Sequence, residues 1–348
     1  MNSPTGPVRI EALDDAAYLS FAESARHTIA IEQTPPWDAY DAVVEGRTAW
    51  RRLGAFAGDA ETPFALIAFT EYAGRGFQYL WAKHGPTWIG EQTEQRERTL
   101  RDALTKYVRA EAAHIVFLRL HARFPAPDLH ELLQTITYDR TVKIDTTLDE
   151  DAYLMSLSKK SRARLRRALR KEGTEVSWEK DLTRAGFDEL YAIYEETAER
   201  DEFGIYPPEV YWGMYDNLGE HARMYVARRP EAGPDGEPAG RAVAWVIITI
   251  FGDGALHYYA AGNAEARAAD ASTAIMWKIL SDLRKAGVTS IDLMGVDSER
   301  APTLKGVGEF KRQFGEVIEV DGAWDVPVKA LRYRAFKAAL KVKRAIRP

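Results

Sequence analysis

The feature that most constrains the fold is an order of predicted elements that occurs twice along the chain. In the first half, a helix precedes three strands separated by turns, and these are followed by helix, strand, a short helix at 128–135 and a strand at 138–144. In the second half, two helical segments precede three strands, and helix, strand, helix and a final short strand follow. Matching halves predict two copies of one α/β unit.

This order resembles that of the GCN5-related N-acetyltransferase fold, in which two adjacent strands separate and an acyl donor enters the gap. The predicted fold class is α/β (α+β), with two tandem domains of this kind, each a mixed, mostly antiparallel sheet flanked by helices. Here the separating strands would be Ala255–Ala261 and Ser290–Leu293. Acetyl-CoA-dependent members carry a glycine-rich loop after the first of these strands, whose backbone N–H groups bind pyrophosphate. This chain has AGNAEARAADAS there, with Gly262 as its single glycine, which argues against coenzyme A.

Composition and missing motifs exclude several classes of function. The 348 residues include no cysteine, which excludes disulfides, cysteine-bound zinc and thiolate catalysis. The sequence contains no HExxH, GxSxG or P-loop motif, so no metal site is predicted. The longest apolar run, Ala242–Phe251, is about half of the roughly 20 residues that a spanning helix needs, so it predicts a buried strand. The N-terminus lacks the features of a signal peptide, and we expect a cytoplasmic protein.

Two basic segments stand out against a net charge of only −5. The first, 158–176, has eight basic residues before its first acidic one, with Leu165, Ala168 and Leu169 as a thin apolar stripe. It is either a solvated basic helix or a site for a phosphate-rich partner such as tRNA, a nucleotide-linked sugar or a lipid pyrophosphate. The second has seven basic residues between Arg332 and Arg347 and no acidic one. It is either a docked terminal helix with a solvated face or a contact with an anionic bilayer.

The segment 291–315 predicts one wall of a cleft, because a short strand leads into a polar loop and then a cationic turn. Lys311 lies between Phe310 and Phe314, which would anchor the turn in the core and hold the ammonium at the cleft, although a surface position is the default for a single lysine. Tyr258 and Tyr259 are consecutive strand residues, so we expect one in the core and one facing the cleft. Three lone histidines near strands, His84, His121 and His257, are more often structural than catalytic.

Six segments, in this order, resemble the FemABX family of aminoacyl-tRNA-dependent peptidyltransferases, which build the interpeptide bridges of peptidoglycan. They are IEQTPPW (31–37), AKHGPTW (82–88), KSRARLRRALRKEGTEV (160–176), ETAERDEFGIYPPEVYW (196–212), HYYAAGN (257–263) and FKRQFG (310–315). The resemblance covers most of the chain. It implies a first acyltransferase-like domain at 1–145, joined by the C-terminal helix 323–348, and a second at 146–322.

The resemblance also implies an activity: transfer of an amino acid from aminoacyl-tRNA, as co-substrate, to an amine of a lipid-linked or UDP-linked muropeptide, with no other cofactor. Lys311 matches the lysine of the family motif F-K-x-x-F-G and would stabilise negative charge on the tRNA end or the tetrahedral intermediate. The residues implied for substrate binding are Trp37, His84, Gly85, Pro86, Arg200, Tyr206, Tyr258, Tyr259, Gly262 and Asp292. Those implied for binding tRNA or phosphate are Arg162, Arg166, Arg167, Arg170 and Lys311.

The sequence departs from the family pattern at Asp41, around His121 and at Pro207, and the loop 229–240 is too short for the coiled-coil arm that some members carry. Two alternatives follow. One is an N-acyltransferase that acts on another small-molecule or protein amine. The other is a non-catalytic scaffold of cell-wall synthesis that binds the lipid-linked precursor through its basic helices. For the aminoacyltransferase itself we expect a cytoplasmic location with peripheral contact at the inner face of the plasma membrane.

Overall fold

The computed structural model of the chain describes residues 7–24, 29–74, 76–132, 137–171, 173–232 and 238–346. The chain divides into two compact units. The first comprises Met1–Asp139, Ser298–Ala301 and Glu319–Pro348, and the second comprises Arg140–Asp297 and Pro302–Ile318.

In chain order the strands are β1 (Val8–Leu13), β2 (Arg47–Ala57), β3 (Ala65–Gly74), β4 (Phe77–Trp81), β5 (Thr87–Trp88), β6 (Ile115–Ala122), β7 (Arg140–Asp145), β8 (Glu175–Glu179), β9 (Ala222–Ala232), β10 (Pro238–Phe251), β11 (Gly254–Gly262), β12 (Ser290–Asp292), β13 (Val317–Glu319) and β14 (Gly322–Pro327). The α-helices are α1 (Asp15–Ser24), α2 (Pro35–Asp41), α3 (Glu94–Glu111), α4 (Glu150–Ser156), α5 (Lys159–Leu169), α6 (Arg184–Arg200), α7 (Pro208–Leu218), α8 (Ala264–Ala268), α9 (Ala271–Lys285), α10 (Lys305–Lys311) and α11 (Ala330–Ile346).

The first unit contains a sheet in the order β1-β2-β3-β4-β6-β14, with β5 paired to β3. The β4–β6 pair is parallel, and the other pairs are antiparallel. Helix α3 begins after Thr93, whose side chain accepts a hydrogen bond from the backbone N–H of Arg96 and so caps the first turn. Leu100, Leu104 and Val108 repeat at the spacing of a helical turn and are buried in the core of this sheet.

The second unit contains a sheet in the order β13-β7-β12-β11-β10-β9-β8. The run Ala242–Phe251, predicted as a buried strand, lies in β10, which confirms the prediction. Trp245 donates from Nε1 to the carbonyl of Leu190 in α6 at 2.7 Å, while its neighbour Val246 joins the cluster that contains Ile275 of α9. Alternate residues of β10 therefore pack against different helices, as the period of two in a strand requires.

The two sheets share one strand order, but each is completed by a strand from the other half of the sequence. The first sheet ends in β14, which pairs with β6, and the second contains β7, which pairs with β12. The sequence assigned β7 to the first domain, with a boundary at 145/146, whereas the N-terminal segment of the first unit ends at Asp139 and β7 belongs to the second unit. Local pattern identifies a strand but not its partner, because pairing depends on long-range contacts.

The predicted fold class is confirmed: each unit is a mixed, mostly antiparallel sheet flanked by helices. Two local predictions are wrong. Asp128–Leu132, predicted as part of a short helix, is a turn followed by a bridge between His130 and Asp325. Much of the predicted loop 229–240 is strand, since β9 continues to Ala232 and β10 begins at Pro238. In the part of the chain that the structure describes, no helix is both long and apolar enough to cross a bilayer.

Candidate active site

A gap opens between β11 and β12 in the second unit. The two strands pair in parallel from Gly254 and Ser290 as far as Leu256 and Asp292, where β12 ends. Beyond that point the chain follows β7, with the N–H of Leu293 bonded to the carbonyl of Val142 at 2.8 Å, while β11 continues to Gly262. The predicted separation of these strands is confirmed.

Asp292 shapes the turn at the start of the gap. Its Oδ1 accepts hydrogen bonds from the hydroxyl of Thr141 and, at 2.6 Å, from the backbone N–H of Met294. Met294 has a φ of 59°, which is costly for a residue with a side chain. The bond from Asp292 to the N–H two residues later offsets that cost, as in other Asx turns.

Lys311, the last residue of α10, directs its ammonium at this turn. Its Nζ donates to the carbonyls of Met294 at 3.0 Å and Gly295 at 2.9 Å. The residue is only 9% exposed, and burial lowers the pKa of Lys311 to about 8, against the opposing effect of the Asp292 charge. An ammonium has three N–H donors, and the third has no protein acceptor among the described residues. The third N–H is therefore available to a ligand.

The aromatic anchor that was predicted for Lys311 is present. Phe314 is buried and Phe310 packs against the same core, with their rings 5.0 Å apart in an edge-to-face arrangement. The hydroxyl of Tyr153 donates to the carbonyl of Phe314 at 2.9 Å, which fixes the end of the turn. The turn that holds the ammonium is thus anchored in the core on both sides of Lys311.

His257 is the first residue of β11 beyond its pairing with β12, and it is buried. Burial and the positive charge of Lys311 lower the pKa of His257 to about 3. The imidazole is therefore neutral at physiological pH and can serve as a hydrogen-bond donor or acceptor beside the ammonium.

Tyr258 and Tyr259 do not point to opposite faces, so that prediction is wrong. The register between β10 and β11 shifts here: Ile247 pairs with Tyr259 and Ile248 with His257, which leaves Tyr258 as the extra residue of a β-bulge. The two rings are 5.2 Å apart, and both residues are half-buried.

An aromatic cluster surrounds Tyr259. Its ring lies 4.8 Å from that of Tyr211, whose hydroxyl accepts from the backbone N–H of Tyr206 at 2.9 Å. The hydroxyl of Tyr191 donates to the carbonyl of Tyr206 at 2.9 Å, so this backbone is held on both sides. The side chain of Tyr206 remains 54% exposed and is free to contact a ligand.

Arg200 and Gly262 come together at the end of β11. The guanidinium of Arg200 donates to the carbonyl of Gly262 at 2.9 Å and pairs with Asp201 at 2.8 Å. A Cβ on Gly262 would lie 3.2 Å from the Cβ of Ala266, so close packing favours glycine here. Both residues therefore have structural roles at this position.

The segment after Gly262 differs from a pyrophosphate loop. Asn263 caps the short helix α8 by accepting from the N–H of Ala266 at 3.0 Å, and α9 then begins after Asp270. The Asp270 carboxylate is bonded to Lys171 at 2.8 Å and lies within 4.0 Å of Arg164 and Arg167. A carboxylate in front of α9 places negative charge where a pyrophosphate-binding helix offers N–H groups.

The basic helix α5 uses only part of its charge internally. Leu165 and Ala168 of the predicted apolar stripe are buried, which confirms these two members, but Leu169 is 42% exposed and does not belong to it. Arg162 donates to the carbonyls of Leu154 and Met155. Within the described residues, Arg166 and Arg170 form no ion pair, unlike Arg167. Phosphate binding by these four arginines stays a prediction.

The remaining predicted residues lie in the first unit. Trp37, Gly85 and Pro86 are buried, whereas His84 is half-buried. The imidazole of His84 lies 3.0 Å from Glu32 Oε1 through Nδ1 and 3.0 Å from the hydroxyl of Tyr138 through Nε2. Their contact with substrate stays a prediction.

Sequence reasoning missed two contributors to the Lys311 site. Thr141 comes from β7, which the sequence placed in the other domain, and the backbone carbonyls of Met294 and Gly295 carry no side-chain signal. An aspartate followed two residues later by a tight turn at a strand end is a signal for an Asx turn, and it would have indicated the role of Asp292.

Comparisons with known proteins agree with this geometry. Residues 159–312, which include β11, β12 and Lys311, match a family model described as an acetyltransferase (GNAT) domain. The structure of FemX superposes with a TM-score of 0.71 over 94% of this chain and 99% of that one, at 15% identity. The fold is that of FemX.

Two other solved structures are similar to this chain at lower TM-scores. The C-terminal domain of a putative lysylphosphatidylglycerol synthetase from Agrobacterium fabrum has a TM-score of 0.51 at 16% identity, covering 90% of this chain and 92% of its own. A tandem GNAT protein from the clavulanic acid biosynthesis pathway has a TM-score of 0.53 at 10% identity, covering 92% and 98%. No curated protein matches the sequence. The fold class follows from these matches.

Proposed function

We propose that this protein is an aminoacyltransferase that moves an amino acid from aminoacyl-tRNA to an amine of a peptidoglycan-precursor stem peptide, on a lipid-linked or UDP-linked muropeptide. The observation that carries the proposal is the buried Lys311 ammonium, fixed by two carbonyls at the gap between β11 and β12 with its third N–H available. The fold of FemX and the six FemABX-like segments support the choice of donor and acceptor. In this proposal the protein works in the cytoplasm, beside the membrane that carries the lipid-linked precursor.

The chemistry of the reaction needs little from the protein beyond positioning and charge. The acceptor amine attacks the ester carbonyl, the C–N bond forms, and the C–O bond to the tRNA 3′ oxygen breaks. The amine loses a proton and the 3′ oxygen gains one. An ester is already activated, so the main tasks are to orient the amine and to stabilise the developing negative charge.

Lys311 suits the second task. With a pKa of about 8 it is mostly cationic at neutral pH, and it is a stronger acid than an ordinary lysine. It can therefore donate a hydrogen bond to the oxyanion and release its proton to the leaving 3′ oxygen. The neutral imidazole of His257 and the exposed ring of Tyr206 would contact the acceptor or the aminoacyl group.

The proposed donor also fits the segment after β11. The segment has Gly262 as its single glycine and reaches α9 only after Asp270, so it lacks the glycine-rich backbone that binds the pyrophosphate of coenzyme A. The uncompensated Arg166 and Arg170 on α5 would attract the phosphates of tRNA.

A direct assay combines the purified protein, a pool of radiolabelled aminoacyl-tRNAs and a UDP-linked or lipid-linked muropeptide, followed by mass analysis of the muropeptide. We expect a gain of one amino acid that disappears after RNase treatment. Lys311→Ala should reduce turnover by about 10²–10³-fold, the usual effect of removing one donor to an oxyanion. Lys305→Ala is the matched control, because Lys305 is an exposed lysine of the same helix.

A second function is favoured by the acetyltransferase family match: N-acylation of another amine from an acyl-coenzyme A. Saturable binding of acetyl-CoA, with no mass gain from any charged tRNA, would establish this function instead. Tight binding of the muropeptide without turnover, unchanged in Lys311→Ala, would indicate the non-catalytic scaffold.

A further inference from the structure

The first unit contains a pocket on the side of its sheet where α11 packs. It has a volume of about 410 Å³, within the range of small-ligand sites. Its lining residues are His130, Pro327, Ala330, Tyr333, Arg334, Lys337 and Ala338. The proposed acyl transfer uses none of them.

The charged side chains that line this pocket are all basic. His130, Arg334 and Lys337 face it, and no acidic residue lines it. Within the described residues, neither Arg334 nor Lys337 takes part in an ion pair, although Lys337 lies 5.6 Å from the ring of Tyr333. The cations are therefore left for a ligand.

The nearest carboxylates are already engaged. Asp325 is buried and pairs with Arg119 at 2.7 Å, and it also accepts from the hydroxyl of Tyr333 at 3.2 Å. Asp128 pairs with Arg101 at 2.6 Å. These pairs leave little negative charge to compensate the pocket, so its potential is positive.

The pocket is also well fixed in shape. The backbone of His130 exchanges two hydrogen bonds with Asp325, each of 2.9 Å, and its ring lies 5.4 Å from that of Tyr333. Tyr333 is buried, and its N–H begins the helical bonding of α11 with the carbonyl of Lys329 at 2.9 Å. A preformed site loses little conformational entropy when a ligand binds.

We propose that this pocket binds a phosphate group on a small organic molecule or a lipid. The guanidinium of Arg334 and the ammonium of Lys337 would hold the phosphate oxygens, with His130 as a third donor. Pro327, Ala330 and Ala338 provide an apolar wall for the carbon skeleton next to the phosphate. The proposal is independent of the acyl-transfer function.

The phosphate could come from a lipid headgroup or from a soluble phosphate ester. A lipid would also use an apolar contact outside the pocket, at Leu331 of α11, which is 80% exposed. A soluble ester would use the pocket alone. The same three basic residues serve in both cases.

Binding should depend on pH through His130. Burial and the charges of Lys337 and Arg334 lower the pKa of His130, against the opposing effects of Asp325 and Asp128. The phosphodiester of phosphatidylglycerol keeps its charge at acid pH and would raise that pKa when bound, so the affinity for phosphatidylglycerol vesicles should increase as the pH falls below the ordinary histidine value. His130→Ala should remove this dependence.

The test uses the full-length protein with two probes: glycerol 3-phosphate in calorimetry, and vesicles of phosphatidylcholine with and without phosphatidylglycerol in a sedimentation assay. Lys337→Glu and Arg334→Glu should each weaken binding at least tenfold. Ala338→Trp should do the same by filling the pocket without changing its charge. Arg332→Glu is the matched control, since it makes the same charge change on the same helix outside the pocket.

The outcomes separate the sources and can overturn the proposal. Binding of glycerol 3-phosphate identifies a soluble ester, and binding only to phosphatidylglycerol vesicles identifies a headgroup. Equal losses in Arg332→Glu and Arg334→Glu, together with no effect of Ala338→Trp, would mean a diffuse surface attraction and refute the pocket. Binding of neither probe to the wild-type protein would also refute it. Thermal unfolding of each variant shows whether the variant is folded.

Discussion

The buried ammonium of Lys311 should make the stability of this protein depend on pH in a defined window. Its folded pKa is about 8, below the ordinary value of 10.5. Between these values the unfolded chain holds a proton on Lys311 that the folded chain has lost, so the free energy of unfolding rises with pH there. Below about pH 8 the full cost of the buried charge is present, and it decreases as the pH rises.

The size of the effect follows from the interval between the two pKa values. At about 1.4 kcal/mol for each pKa unit, the buried charge of Lys311 lowers the free energy of unfolding by about 3 kcal/mol at neutral pH. By about pH 9.5, loss of the proton has removed about 2 kcal/mol of this cost. The residue is only 9% exposed, so solvent screening reduces this figure little. Lys311→Met lacks the titrating group, although it leaves the carbonyls of Met294 and Gly295 without their donor.

The experiment is denaturant unfolding of the wild-type protein and Lys311→Met at several values between about pH 7 and about pH 9.5. The difference between their free energies of unfolding cancels the other titrating groups and should change by about 2 kcal/mol in favour of the wild-type protein. Lys305→Met, on the exposed face of the same helix, should give a difference that does not vary. A wild-type minus Lys311→Met difference constant within about 0.5 kcal/mol would refute the reasoning.

Two further predictions concern other parts of the fold. Asp292→Asn should keep the turn but remove the charge that raises the pKa of Lys311. The limb of the pH–rate profile that is due to Lys311 should therefore move to lower pH, and a limb at an unchanged pH would contradict this prediction. Gly85→Ala should lower the free energy of unfolding by about 3 kcal/mol. The new Cβ would lie 2.4 Å from Gln33 Oε1 and displace the Gln33 side chain, which makes three hydrogen bonds to the backbone of about 1 kcal/mol each. Gly306→Ala, with no atom near its Cβ, is the control, and equal melting temperatures for the two variants would refute the steric argument.

Local sequence pattern predicted what depends on neighbouring residues. The run in β10 is apolar because helices pack against both faces of this strand. The aromatic pair around Lys311 can be recognised in the sequence because Phe310 and Phe314 are four residues apart. The separation of β11 from β12 followed from the resemblance of the element order to a known fold.

Features that depend on distant residues were not predictable in this way. The β-bulge at Tyr258 arises from a register shift against β10, which no local pattern specifies. The contact of Thr141 with Asp292 requires β7 to lie beside β12, more than a hundred residues later in the chain. Arg334 and Lys337 of the pocket at α11 form no ion pair within the described residues because the neighbouring carboxylates are already paired. Only the side-chain geometry shows this.

The exchange of closing strands has a consequence for biosynthesis. The first sheet needs β14, so one edge of β6 stays unpaired until residues 322–327 have left the ribosome. The N-terminal half therefore cannot finish folding while it is being made, unlike a domain formed from one continuous segment. A premature stop before Gly322 would leave that edge open for good and make the fragment a target for aggregation or proteolysis.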